Sequence, residues 1–107
     1  MQYRSWQFRI DDIVEAINKI ERYTHGIDFV SWQNDEKSVD AVIRNLEVIG
    51  EASSHLPVKV QEQYKDVPWR MMRGIRNILA HEYFGIDLEI VWKTVKDDLP
   101  KLKKQLI

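Results

Sequence analysis

The chain reads as an all-α protein, an up-and-down bundle of four to five helices. Three observations predict this. Apolar residues recur at helical spacing along most of the chain. Glycine and proline are scarce, at 4 and 3 of 107 residues, and fall mainly between the periodic stretches. Helix-forming residues dominate the composition. The length suits a single domain, 1–107, large enough to bury a modest core.

The first helix is predicted over Phe8 to Thr24, where Ile10, Ile13, Val14, Ile17 and Ile20 make one apolar stripe. Gly26 supplies the stop, and His25 beside it reads as a capping residue at the helix C-terminus. Asp28 to Asn34 is a short connector or single helical turn, pinned by Phe29 and Trp32. A second long helix runs from Asp35 to Leu56, with Val39, Val42, Ile43, Leu46, Ile49 and Ser53 on its inner stripe. Gly50 also lies on that stripe; a mid-helix glycine costs about 1 kcal/mol, so it suggests close approach by another backbone. Asp40, Arg44, Glu47, Glu51 and His55 line another face. They read either as a solvated salt-bridge ladder or as the border of a site, with Glu51 or Arg44 supporting the reacting groups.

Pro57 closes that helix, and Val58 to Lys65 forms a short third one. A central stretch, Pro68 to Asp87, follows. Met71, Met72, Ile75, Ile78 and Leu79 fall on one arc of its helix, and Arg70, Arg73, Gly74, Asn77 and His81 on the opposite arc. Arg76, Ala80 and Tyr83 sit at the seam. One face wants a core; the other carries cations, an amide and an imidazole. Gly85 breaks the helix and Asp87 caps the next. Leu88, Val91, Trp92, Val95, Leu99, Leu102 and Leu106 then hold one apolar stripe to the end, with a kink expected at Pro100. Trp69 and Trp92 read as core residues rather than base-stacking platforms.

Charge is nearly balanced at −1, so any nucleic-acid site must be a local basic patch. Cysteine is absent, which removes disulfides and thiolate metal sites and fits a reducing cytoplasm. No segment approaches the ~20 apolar residues of a membrane span, and the N-terminus lacks a signal-peptide core, so no membrane association is expected. His25, His55 and His81 lack ligand spacing, so neither a metal nor another cofactor is expected.

The order Arg76, four residues, His81, one residue, Tyr83 matches the R-x4-H-x-Y signature of the HEPN superfamily. RNLEVIGEA in the second helix, PWRMMRGIRNILAHEYFGID, and LEIVWKTVKDDLP resemble HepT-like proteins, and the resemblance covers almost the whole chain. It implies a homodimeric helical bundle that acts as a metal-independent endoribonuclease, the toxin of a type II toxin–antitoxin system. It implies Arg76 and His81 as catalytic residues in a cleft at the dimer interface. It also implies a nucleotidyltransferase antitoxin as partner, attaching AMP to Tyr83.

The residues fit that chemistry. Cleaving RNA through its own 2′-hydroxyl needs a base, an acid and a cation for the phosphorane. His81 titrates near neutrality and can serve as base or acid. Arg76 can hold phosphate oxygens in bidentate fashion, or else pair with Glu51 or Glu47 across the bundle. Asn77, one turn before His81, can orient it, bond the phosphate, or serve as a plain buried hydrogen bonder. Arg70 and Arg73 extend the positive stripe along an RNA strand. A two-fold dimer would supply the second histidine. Gly74 on that face would let two helices approach closely. The alternative reading is a non-catalytic nucleotide- or protein-binding partner of a nucleotidyltransferase.

Overall fold

The computed structural model describes residues 6–81 and 87–107. Among them there are helices and no strand. Helix α1 is Trp6–Thr24, α2 is Phe29–Gln33, α3 is Glu36–Ser54, α4 is Val58–Gln63 and α5 is Trp69–His81. Helix α6, Leu88–Lys93, passes through a π-helical turn, Thr94–Asp98, into α7, Leu99–Leu106.

The isoleucine stripe of α1 is buried as its spacing requires: Ile10, Ile13, Ile17 and Ile20, joined by Ala16. Phe8, within the predicted helix but off this stripe, stays exposed. The helix ends where Gly26 takes a positive φ of 75°, a conformation that costs glycine little. Asp28 then caps α2 by accepting from the Ser31 N–H at 2.8 Å, and Asp35 caps α3 through the Ser38 N–H and hydroxyl. Within α2, Trp32 is wholly buried, with the Trp92 ring 5.0 Å away and the Phe29 ring 6.2 Å away. Trp92 itself is half-buried against the core.

The inner stripe of α3 is wider than its spacing predicts. Val39, Val42, Leu46, Ile49, Gly50 and Ser53 are buried, and so are Asn45 and Ala52. Asn45 and Ser53 bond the carbonyls of Ala41 and Ile49 one turn back, so neither carries an unmet polar group into the core. Ile43 is only half-buried.

Side-chain neighbours fix the directions of packing. Arg9 and Asp12, early in α1, share a cleft with Glu51 and Ala52, late in α3, so α1 and α3 run antiparallel. Leu46 of α3 meets Ile75 and Leu79 of α5, while Gln61, just past the end of α3, bonds Arg73 nearer the start of α5. That pair is antiparallel too. Lys96 Nζ reaches the Thr24 carbonyl at 3.4 Å and Lys103 Nζ reaches Glu21 Oε1 at 3.1 Å, so the C-terminal helices run back along α1. The result is an up-and-down bundle, as the sequence predicts.

Pro100 acts on the turn before it. Proline cannot donate to the carbonyl four residues back. The chain widens instead, and the Leu99 N–H bonds the Thr94 carbonyl, five residues back. This explains how the stripe keeps phase. Val91, Val95 and Leu99 are spaced by fours, which in a regular α-helix would drift ~40° per step. The widened turn absorbs the drift, and all three are buried along with Leu102 and Leu106.

Candidate functional site on helix α5 and the cleft beside it

Helix α5 is held by its apolar side. Met72 is wholly buried and Ile75 and Leu79 nearly so. Trp69 is buried at the start of the helix, and its indole N–H lies 3.0 Å from the carbonyls of both Gln61 and Tyr64. Gln61 ties this junction a second time: its side chain donates to the Leu56 carbonyl and accepts from Arg73 Nη1 at 3.0 Å. Pro68 precedes the first helical residue, and its carbonyl accepts the Met72 N–H. Met71, expected on the core arc, is instead 41% exposed. It lies next to the arc's edge, outside the part of α5 that Met72, Ile75 and Leu79 bury.

Arg70 and Arg73 are both exposed on this helix. Arg76, Asn77 and His81 lie within the same continuous helix, along its last ~1.7 turns. Tyr83 lies outside the described residues. Gly74 is open among the described residues: a Cβ built there would meet none of them within 4 Å.

Glu51 is exposed on the outer stripe of α3. His55 Nδ1 lies 2.8 Å from its backbone carbonyl oxygen and 3.4 Å from its carboxylate. Glu51 also lines a cleft of about 350 Å³ between α1 and α3, together with Arg9, Asp12, Arg44, Glu47 and Ala52. The spacing of Arg44, Glu47 and Glu51 on α3 puts all three on one stripe. Sequence reasoning gave Arg44 and Glu51 as either a solvated ladder or the border of a site, and it did not consider Arg9 and Asp12. Their signal was present, since both are polar and one turn apart beside the isoleucine stripe. Only the antiparallel pairing of α1 with α3 joins them to Arg44 and Glu51.

Two other features are plain. No helix among the described residues is long and apolar enough to cross a membrane. No three His, Asp or Glu side chains among the described residues converge as a metal-ligand group.

The comparisons with known proteins now bear on this helix and cleft. The family model described as "Ribonuclease HepT-like" matches residues 13–107. The chain belongs to this HepT-like family. A Thermococcus cleftensis protein named "Probable ribonuclease HepT" is 46% identical over 94% of this chain and 91% of its own length. A Methanocaldococcus jannaschii protein named "Putative RNase" is 46% identical over 89% of this chain and 87% of its own. A Caldanaerobacter subterraneus protein of the same name is 41% identical over 91% and 87%. No solved structure gives a match. The HepT-like match spans all of α3 and α5, and so includes Glu51, Arg76, Asn77 and His81. It begins just after Asp12, leaving the α1 side of the cleft outside it.

Proposed function

We propose that this HepT-like chain is a metal-independent endoribonuclease, the toxin of a type II toxin–antitoxin pair, acting in the cytoplasm at a cleft formed between two copies. One observation carries the reading. Arg76, Asn77 and His81 lie in one continuous helix, which Met72, Ile75 and Leu79 pack into the core. A helix anchored in this way presents an R-x4-H pair on a rigid element, as a site that must position phosphate and proton donors requires.

In the proposed reaction the substrate's 2′-hydroxyl attacks the adjacent phosphorus and gives its proton to one histidine. The 5′-oxygen leaves and takes a proton from the other. The products are a 2′,3′-cyclic phosphate and a 5′-hydroxyl. Each chain supplies one His81, so pairing across a two-fold axis supplies base and acid together. Arg76 holds the phosphate oxygens, and its charge offsets the phosphorane. Asn77 orients His81, and Glu51 supports the arrangement from α3. Arg70 and Arg73, both exposed, hold flanking phosphates. The open space beside Gly74 supports close approach from outside the chain, because no described residue comes within 4 Å of a Cβ built there.

In this reading a nucleotidyltransferase antitoxin attaches AMP to Tyr83, two residues past His81. The added phosphate competes with RNA for the same cations. Mass spectrometry of protein co-expressed with such a partner should find the adduct on the Tyr83 peptide.

The test of the whole reading is cleavage of labelled RNA by protein whose unmodified mass has been confirmed. Cyclic phosphate ends and indifference to EDTA are expected. Light scattering at micromolar concentration should give a dimer mass. Unmodified protein that cuts no RNA across varied sequences would overturn the assignment.

A further inference from the structure

We propose that the cleft between the first half of α1 and the second half of α3 seats one nucleotide of the RNA strand beside the cut. Arg9 and Arg44 would bind its phosphate, and the cleft's carboxylates would select bases that carry an amino group. The proposal rests on the ribonuclease reading and names the part of the substrate this chain recognises.

The cleft is built by two antiparallel helices. Arg9 and Asp12 come from successive turns of α1; Arg44, Glu47 and Glu51 come from one stripe of α3. Ala52, 3% exposed, belongs to both the cleft wall and the core. The volume, about 350 Å³, lies at the lower end of the ~300–1,000 Å³ usual for small-ligand clefts. It has room for one nucleotide unit and not for a duplex.

Two guanidiniums stand in this cleft with three carboxylates, yet among the described residues neither Arg9 nor Arg44 makes an ion pair or hydrogen bond. An exposed Arg–carboxylate pair is worth little, so charge alone need not have drawn them together. The arrangement leaves two rigid donor forks for an anion, and the guanidinium fork matches phosphate oxygens in bidentate fashion. The cleft does not suit a free inorganic anion as its main ligand, because three carboxylates repel one. They suit a ligand with an anionic end and a donor end. A nucleotide of adenine, cytosine or guanine has both: its phosphate meets Arg9 and Arg44, and its exocyclic amine donates to a carboxylate. Uracil carries no exocyclic amine; its one donor on that edge, the ring N–H, lies between two carbonyl oxygens that the Glu47 carboxylate would repel. Glu51 lines this cleft and also supports the proposed reaction, which puts the selected nucleotide next to the scissile one.

The experiment is fluorescence anisotropy of short single-stranded RNAs with the His81→Ala protein, which binds without cutting. Arg9→Ala and Arg44→Ala are each made in that background, with the exposed Lys59→Ala as a control for loss of one cation. Circular dichroism confirms folding; Arg44 is exposed, so Arg44→Ala remains informative if Arg9→Ala does not fold. Each arginine variant is expected to weaken binding about tenfold and to lower the salt dependence by about one counterion, with Lys59→Ala changing neither. Oligo(C) and oligo(A) should bind roughly tenfold tighter than oligo(U), and Glu47→Gln should narrow that gap. Unaltered affinity in both arginine variants overturns the proposal, as does equal affinity for all three RNAs. If the RNAs bind with this pattern but wild-type protein does not cut them, the cleft stands and the catalytic reading fails. If wild-type protein cuts RNA while both arginine variants bind like their His81→Ala parent, the catalytic reading stands and the cleft fails.

Discussion

Helix α1 borders two charged grooves, and they differ in what their cations are doing. Toward α3 lie Arg9 and Arg44, neither engaged by any described residue. Toward α7 lie Arg22, His25, Lys96 and Lys103, in two adjoining hollows that share Glu21 and His25. There the lysines are occupied. Lys103 Nζ sits 3.1 Å from Glu21 Oε1. Lys96 Nζ bonds the carbonyl of Thr24, the last residue of α1, and also lies 4.7 Å from the Trp92 ring centroid. The carbonyls at a helix end lack intrahelical partners, and a cation there meets both that need and the helix dipole. So the α7 groove uses two of its four basic residues, Lys96 and Lys103, to close α1 against the C-terminal helices, while the two arginines of the α3 groove have no described partner. A count of basic residues alone hides that difference.

The largest expected effect separates the proposed catalytic helix from the occupied groove. His81→Ala should slow RNA cleavage by about 10²–10⁴-fold, the usual worth of a positioned proton donor or acceptor. Lys103→Ala, in the occupied groove, should leave cleavage within about twofold, since an exposed ion pair contributes little. Initial rates on one labelled RNA compare the two. A loss with Lys103→Ala that matched His81→Ala would mean that the occupied groove takes part in cleavage.

The next effect is on stability. Met72 is wholly buried where α5 meets the core. Met72→Ala should cost about 2–5 kcal/mol, measured by urea unfolding, because it leaves a cavity under the helix that carries the proposed site. Met71→Ala, one residue away but exposed, should cost well under 1 kcal/mol. A double-mutant cycle across Glu21 and Lys103 should then give a coupling of roughly 0.2–1 kcal/mol, decreasing with salt.

The difference between Met71 and Met72 shows what the sequence could and could not reveal. Both fall on the apolar arc of α5 by spacing. Which one is buried depends on where α3 lies, and helical periodicity carries no information about a neighbour. For the same reason the stripe of α3 gained Asn45 and Ala52: packing between α1 and α5 covers more of that helix than an apolar pattern marks. Local signals did better. Asp28, Asp35 and Asp87 cap helices in the structure; the sequence named Asp87 as a cap and put Asp28 and Asp35 at the first position of their segments. The proline at 100 announced a disturbance, but its form, a widened turn that keeps the stripe in phase, depends on three buried residues spaced by fours. At the site, the R-x4-H spacing was legible because it is contained in one helix. Arg9 and Asp12 were not, because the cleft they line exists only once two helices are antiparallel.

The smallest effect tests what keeps those two helices antiparallel. The reversal from α1 to α3 runs through α2, and an aspartate begins each helix after the turn. Asp28 accepts the Ser31 backbone N–H, and Asp35 accepts the Ser38 hydroxyl and backbone N–H. These bonds favour the ionised carboxylates, so both are held below the ordinary value of 3.8. For Asp28 the backbone N–H of Ser31 is the main cause; for Asp35 it is the Ser38 hydroxyl. A carboxylate that is more acidic in the folded chain binds fewer protons there than in the unfolded chain around pH 4. Stability from the two caps is therefore complete above about pH 5 and falls as pH drops through 3.8 and below. Asp28→Asn with Asp35→Asn keeps a capping side chain at both positions but removes the titration. The double variant should unfold at a slightly lower urea midpoint than wild type near pH 7, and the two midpoints should converge as pH falls toward about 3. Midpoints that stay equally far apart across that range would show that the charges of these caps do not hold the turn on which both grooves depend.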